Sequence, residues 1–170
     1  MEKYDKSKSF YKNLESLSQL EFIPYLFLFS GIFFQLSLLS FSENTLEITN
    51  IFGRFGHYFS YGLFYLFGRA AYIPGIFLLI ASFLFYRKMK VDILQGLVSI
   101  PLLMFSVAVA LNMGESLTGS IKDGGGVFGS GLAYGIDFVF GNTGKFIITY
   151  FVLSYSILSL FSIANINILY

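Results

Sequence analysis

The chain contains no cysteine and no tryptophan, and it has one histidine and three prolines in 170 residues. Without cysteine it cannot hold a disulfide framework, a thiolate metal site or a cysteine nucleophile. His57 stands alone, with no second imidazole to complete a histidine-based metal site. Charge is scarce too. Asp, Glu, Lys and Arg make up 12% of the residues, against about 25% in an average soluble domain. The net charge of +1 gives no electrostatic footprint for a polyanion. What is present is apolar and aromatic: 55% of residues are hydrophobic, with 22 Phe and 12 Tyr. A soluble domain of this size could not bury so much apolar surface in one core. These balances exclude an ordinary soluble enzyme, a disordered chain and a nucleic-acid-binding module. They place the chain in a lipid bilayer.

A spanning helix needs about 20 predominantly apolar residues. Four uncharged stretches meet or approach that length: 22–42, 70–86, 93–114 and 146–170. Two shorter ones, 55–68 and 124–136, could not cross alone. The expected fold is therefore an all-α integral membrane domain with spans at about 22–42, 70–86, 93–113 and 146–165. Short amphipathic helices at about 55–68 and 127–141 complete it, with residues 1–20 as a cytoplasmic segment and 166–170 as the start of a linker. Basic residues set the orientation. Lys3, Lys6, Lys8 and Lys12 precede the first span, and Arg87, Lys88 and Lys90 lie between the second and third. Arg54, Arg69, Lys122 and Lys145 fall on the opposite side, so both termini are expected in the cytoplasm. No small-x-small cleavage site follows the first apolar run, which reads as an uncleaved anchor. Pro24 falls in a first turn, where a missing N–H is harmless. Pro74 and Pro101 fall inside spans, where a kink is expected.

The chain also repeats itself. Gly53, Phe55, Gly56, Tyr61, Gly62, Phe67 and Gly68 recur 73 residues later as Gly126, Phe128, Gly129, Tyr134, Gly135, Phe140 and Gly141. Internal similarity at a fixed period marks a duplicated structural unit. At helical spacing, Phe55, Phe59, Leu63, Leu66 and Phe67 share a face, and Phe128, Leu132, Ile136, Val139 and Phe140 repeat it. Tyr58, Tyr61 and Tyr65 run along the other side of the first copy, suited to the headgroup level. Gly68 and Gly141 close the two helices in positions where glycine supplies a positive-φ cap. The unit is span, loop, short helix, span, occurring twice in the same orientation. Small residues at i and i+4 (Gly56 and Ser60, Gly129 and Ala133, Gly131 and Gly135) allow close helix approach in lipid, inside one subunit or between subunits.

Motifs that suggest chemistry lack their context. Gly124, Gly126 and Gly129 spell G-x-G-x-x-G, but no strand or βαβ unit precedes them. Gly144-Lys145 resembles the end of a phosphate-binding loop, yet Val139 and Phe146 stand where that motif needs Gly and Ser or Thr. His57, at the start of an interfacial helix, is expected at the surface. Asp137 interrupts the second short helix where the first has Phe64. An acid at membrane depth is a functional candidate, whereas at the interface it would be solvated. Glu115, Lys122 and Asp123 read as a wet loop. No catalytic residues, metal ligands or cofactor-binding residues emerge. The positions singled out are the packing glycines Gly53, Gly56, Gly62, Gly68, Gly126, Gly129, Gly135 and Gly141, with Lys12, Arg87, Lys88 and Lys90 for topology.

The run from Asn50 through Gly53, Gly56, Phe67-Gly68, Ala70-Ala71 and Pro74 resembles the second-span region of the FtsK/SpoIIIE family. Gly125-Gly126, Gly129 and Gly141 to Gly144 are similar to its later glycine elements, and the resemblance covers about residues 20–165. It implies the N-terminal four-helix membrane domain of a DNA translocase, a multi-pass anchor in the bacterial inner membrane at the division septum. It further implies a homo-oligomer, contacts with division proteins, and DNA handled only by a C-terminal ATPase motor. No such motor follows within these 170 residues, and the end at Tyr170 without a basic flank points to an excised domain. The alternative is a small multi-spanning transporter or channel subunit. Apart from Gln35 and Gln95, however, the spans carry almost none of the strongly polar side chains that an ion pathway needs.

Overall fold

The computed structural model describes residues 22–43, 49–87, 93–114 and 122–163. Among them every regular element is helical: α1 (Ile23–Leu39), α2 (Gly53–Phe67), a 3-10 turn (Gly68–Ala71), α3 (Tyr72–Tyr86), α4 (Ile93–Gly114) and α5 (Gly126–Ile163). Lys12, Lys88, Lys90, Glu115 and the segments 1–20 and 166–170 lie outside the described residues. Among the described residues three stretches are long and apolar enough to cross a membrane: Gly53–Tyr86, Gln95–Met113 and Gly126–Phe161. α1 is apolar but shorter, at 17 residues. At a rise of about 1.5 Å per residue it reaches about 25 Å, the lower edge of what a span requires.

Two antiparallel helix pairs organise the molecule: α1 packs along α3, and α4 along α5. In the first pair glycine permits the approach. A Cβ on Gly31 would lie 2.8 Å from the Leu79 side chain, and one on Gly75 would lie 2.9 Å from Phe34 Cβ. Polar side chains bridge the same helices. Gln35 Nε2 donates to the Tyr72 carbonyl at 3.0 Å, and Ser82 Oγ to the Pro24 carbonyl at 2.7 Å. In the second pair, Gln95 Nε2 donates to the Ser159 carbonyl at 3.1 Å while Ser99 and Ser159 hydroxyls share a 2.6 Å bond. Between helices in lipid such bonds contribute on the order of 0.6 kcal/mol each, so they fix register more than they add stability.

Two expectations need correction. Pro74 is not in a helix interior. The 3-10 turn delays α3 to Tyr72, which leaves Pro74 in the first turn, where its missing N–H has no helical partner to lose. Only Pro101 sits well within a helix. Likewise, no loop separates a helix ending at 141 from one beginning at 146. The single non-helical residue in α5 is Gly141 (φ 68°, ψ 175°), and the helix resumes at once. One glycine in a conformation closed to other residues breaks the helix without a connecting segment.

Candidate functional site

The two short helices meet end to end, and the geometry there depends on glycine. Gly53 (φ 61°) opens α2 and Gly68 (φ 54°) closes it; Gly126 (φ 64°) opens α5 and Gly141 (φ 68°) breaks it. Each of the two φ-positive pairs is separated by the 73-residue period. At the meeting point the backbones themselves touch. A Cβ on Gly68 would overlap the Gly124 carbonyl, and one on Gly126 would lie 2.6 Å from the Leu66 carbonyl and the Phe67 nitrogen. Arg69 N donates to the Gly124 carbonyl at 3.0 Å, and Arg69 Nη2 pairs with Asp123 Oδ1 at 2.7 Å. Above the glycines, the Phe67 and Phe128 rings stack at 5.2 Å, and Phe105 meets both edge-on at 5.7 Å.

The start of α2 is held to α1 by buried polar groups. Asn50 Nδ2 donates to the Ser37 carbonyl at 2.7 Å, and its Oδ1 accepts the Phe52 N–H at 3.0 Å, forming the turn that launches the helix. Ser37 Oγ donates to the Gly56 carbonyl at 2.9 Å and bonds Ser60 Oγ at 2.8 Å. Gly56 is required there, because a Cβ would overlap Asn50 Oδ1. Lys122 Nζ closes the same end of the bundle by donating to the Phe41 carbonyl at 2.6 Å.

The buried face of α2 carries Gly56 and Ser60, the pair expected to allow close approach, and not the exposed Phe55. Gly56, His57, Ser60 and Phe64 are buried, while Phe55 is 70% exposed. In lipid a Phe facing outward loses nothing, whereas close helix contact favours small residues, so the small stripe turns inward. His57 is accordingly not at the surface. It is 5% exposed beneath the Phe41 ring, with centroids 5.1 Å apart, and its Nδ1 has no hydrogen-bond partner among the described residues. Phe64 packs with Leu38, Phe41 and Ala71 in the core cluster. Tyr58, Tyr61 and Tyr65 point outward.

The remaining candidates are spread out. Gly129 sits against Ala108 and Asn112 of α4, where a Cβ would lie 2.5 Å from the Ala108 carbonyl. Among the described residues, Gly53, Gly62, Gly135 and Gly141 have nothing within 4 Å of a Cβ position. Arg87 is exposed, with its guanidinium over the Phe83 ring at 5.3 Å. Asp137 pairs across the Gly141 break with Lys145, Oδ1 to Nζ 3.3 Å. The faces of Gly124, Gly126 and Gly129, which a phosphate would need, are filled by Asn112, Leu66 and Ala108. Among the described residues no three His, Cys, Asp or Glu side chains gather as a metal site would require. Sequence reasoning missed Asn50 and Lys122 as structural ties, since their partners are distant backbone carbonyls that leave no local pattern.

Residues 18–169 match the family model described as the 4TM region of DNA translocase FtsK/SpoIIIE. The chain belongs to this family. As an FtsK/SpoIIIE membrane region it is a membrane protein, in keeping with its long apolar helices. Two relatives, each named DNA translocase FtsK, come from Leptospira interrogans serogroup Icterohaemorrhagiae, serovar copenhageni (strain Fiocruz L1-130) and serovar Lai (strain 56601). Each is 39% identical over 128 residues, covering 74% of this chain but only 14% of the relative. The chain thus spans about one-seventh of the length of the relatives it matches. No solved structure matches it.

Proposed function

We propose that this chain is the membrane-anchoring domain of a DNA translocase. It has four spans in two parallel units and lies in the bacterial inner membrane with both termini in the cytoplasm. In this reading it oligomerises, gathers division-septum proteins and holds a cytoplasmic motor at the septum. DNA is handled by that motor and not by the membrane domain, which performs no catalysis. The observation that carries the reading is the match to the FtsK/SpoIIIE 4TM region over residues 18–169. The engagement of the polar membrane residues supports it over a channel. Gln35 and Gln95 are spent on neighbouring helices, and Asp137 is paired with Lys145.

A fluorescent fusion of residues 1–170 is expected to concentrate at the division septum of dividing cells. Uniform fluorescence around the envelope, with the fusion intact and membrane-bound, would refute septal targeting and leave anchoring alone.

A further inference from the structure

The two φ-positive glycine pairs are occupied unequally. Gly68 and Gly126, the inner ends of the two short helices, press against each other's backbone. Gly53 and Gly141, the outer ends, hold the same left-handed φ with nothing within 4 Å of a Cβ position. Among the described residues nothing crowds these outer positions. We infer that Gly141 of one copy seats against Gly53 of a second copy, reproducing between chains the junction that Gly68 and Gly126 make within one.

The surrounding residues can be carried across by the 73-residue shift. Phe67, whose ring stacks on Phe128, becomes Phe140, and Phe128 becomes Phe55; Phe105, which backs both, becomes Ile32. All three outer counterparts are bare: Phe55 is 70% exposed, Phe140 60% and Ile32 39%. Arg69, which donates its N–H to the Gly124 carbonyl and pairs with Asp123, becomes the exposed Asn142. The receiving Gly124 becomes Ile51, and Asp123 becomes Asn50. The outer junction therefore keeps the backbone bond and the aromatic contact and dispenses with the ion pair, since the Asn50 amide is buried and already bonded to the Ser37 carbonyl and the Phe52 N–H. Exposure alone would carry little weight, because lipid faces many large side chains here. The weight rests on every apolar member of a formed contact having an uncovered equivalent at the matching place.

Such a contact joins unlike surfaces, so it is heterologous and propagates. This inference rests on the oligomeric two-unit reading above. Parallel repeats are related by an axis along the membrane normal, so successive copies stay in the bilayer plane, where repeated rotation closes into a ring. The ring has twice as many quasi-equivalent junctions as chains.

The absence of native cysteine makes the test direct. Phe55→Cys and Phe140→Cys are introduced singly and together into the full chain in native membranes, then treated with a short bifunctional thiol reagent. Phe67→Cys with Phe128→Cys provides the within-chain control for reach. The double Phe55/Phe140 variant is expected to give a ladder from dimer upward, ending at one largest band, while each single variant stays monomeric. Dimers from either single variant equal to those of the double would overturn the head-to-tail arrangement. Light scattering on the unmodified chain in nanodiscs separates the remaining failures. A multimer without the ladder sinks this interface and leaves oligomerisation standing, whereas a monomer sinks both.

Discussion

Replacing Gly68 with alanine tests the helix junction at its tightest point. Gly68 has φ 54° and ψ −137°, a region populated almost only by glycine, so alanine costs about 1–3 kcal/mol in backbone strain. Its Cβ would also overlap the Gly124 carbonyl and lie 2.9 Å from Gly126 N. Relieving that overlap moves the 124–126 backbone away and opens the 3.0 Å bond from Arg69 N to Gly124 O, a loss of about 1 kcal/mol. The combined destabilisation is about 2–4 kcal/mol. Gly141 isolates the strain component. It has φ 68° and ψ 175°, yet a Cβ there meets nothing within 4 Å among the described residues, so Gly141→Ala should cost only about 1–3 kcal/mol. Gly62, inside α2 and equally open, should gain about 0.5–1 kcal/mol as alanine. The assay is loss of far-ultraviolet helical signal with rising SDS mole fraction, in a mild detergent that keeps the chain monomeric. The expected order of midpoints is Gly62→Ala highest, then the unaltered chain, then Gly141→Ala, then Gly68→Ala. Equal midpoints for Gly68→Ala and Gly141→Ala would refute the backbone-contact argument, and no shift in either would refute the strain argument as well.

Two further substitutions probe other parts of the same assembly. Asn50→Ala removes the 2.7 Å bond to the Ser37 carbonyl and the 3.0 Å bond from Phe52 N at a residue 5% exposed. It should destabilise the chain by about 1–3 kcal/mol, read as a lowered SDS midpoint, with Asn50→Asp at least as damaging because it buries a carboxylate oxygen against the Ser37 carbonyl. Asp137→Asn removes an ion pair whose acidic side chain is 42% exposed, so the midpoint should move by less than about 1 kcal/mol. Liposomes carrying either form should show the same ion permeability; flux present with Asp137 and lost with asparagine would revive the channel reading.

Composition alone placed the chain in lipid, because so little charge leaves no soluble alternative, and the long uncharged stretches made it helical. The period of 73 residues marked Gly53, Gly68, Gly126 and Gly141 before any backbone angle was known, and all four have positive φ. A glycine recurring at the end of a repeated helix is legible because its reason is local. On the buried face of α2, the Gly56 and Ser60 pair was legible from its i and i+4 spacing, whereas the burial of His57 and Phe64 beside it was not. Hydrophobic periodicity assumes that water lies outside, and in lipid Phe55 and Gly56 exchange the roles they would have in a soluble protein. His57 was misread for the same reason, compounded by Phe41, which arrives from the end of another helix to cover it. Pro74 looked like a kink because nothing in its neighbourhood announces the 3-10 turn that moves the start of α3 to Tyr72. The ties from Arg69 to Asp123 and from Lys122 to Phe41 join residues 54 and 81 positions apart. Pairing at such range is decided by tertiary closure, which no local pattern encodes.

The division into an α1–α3 pair and an α4–α5 pair also sets the order in which the protein can be made. The partners that bury Ser37, Asn50, Ser60 and Phe64 (Gly56, Phe41, Tyr72 and one another) all precede residue 87. The first half can therefore finish its own packing while the second is still being synthesised. When α5 begins to emerge, Gly126 meets an end of α2 that is already in place. Biogenesis then needs one late docking event, centred on Lys122, Asp123, Gly124 and Gly126, instead of a simultaneous search by every span.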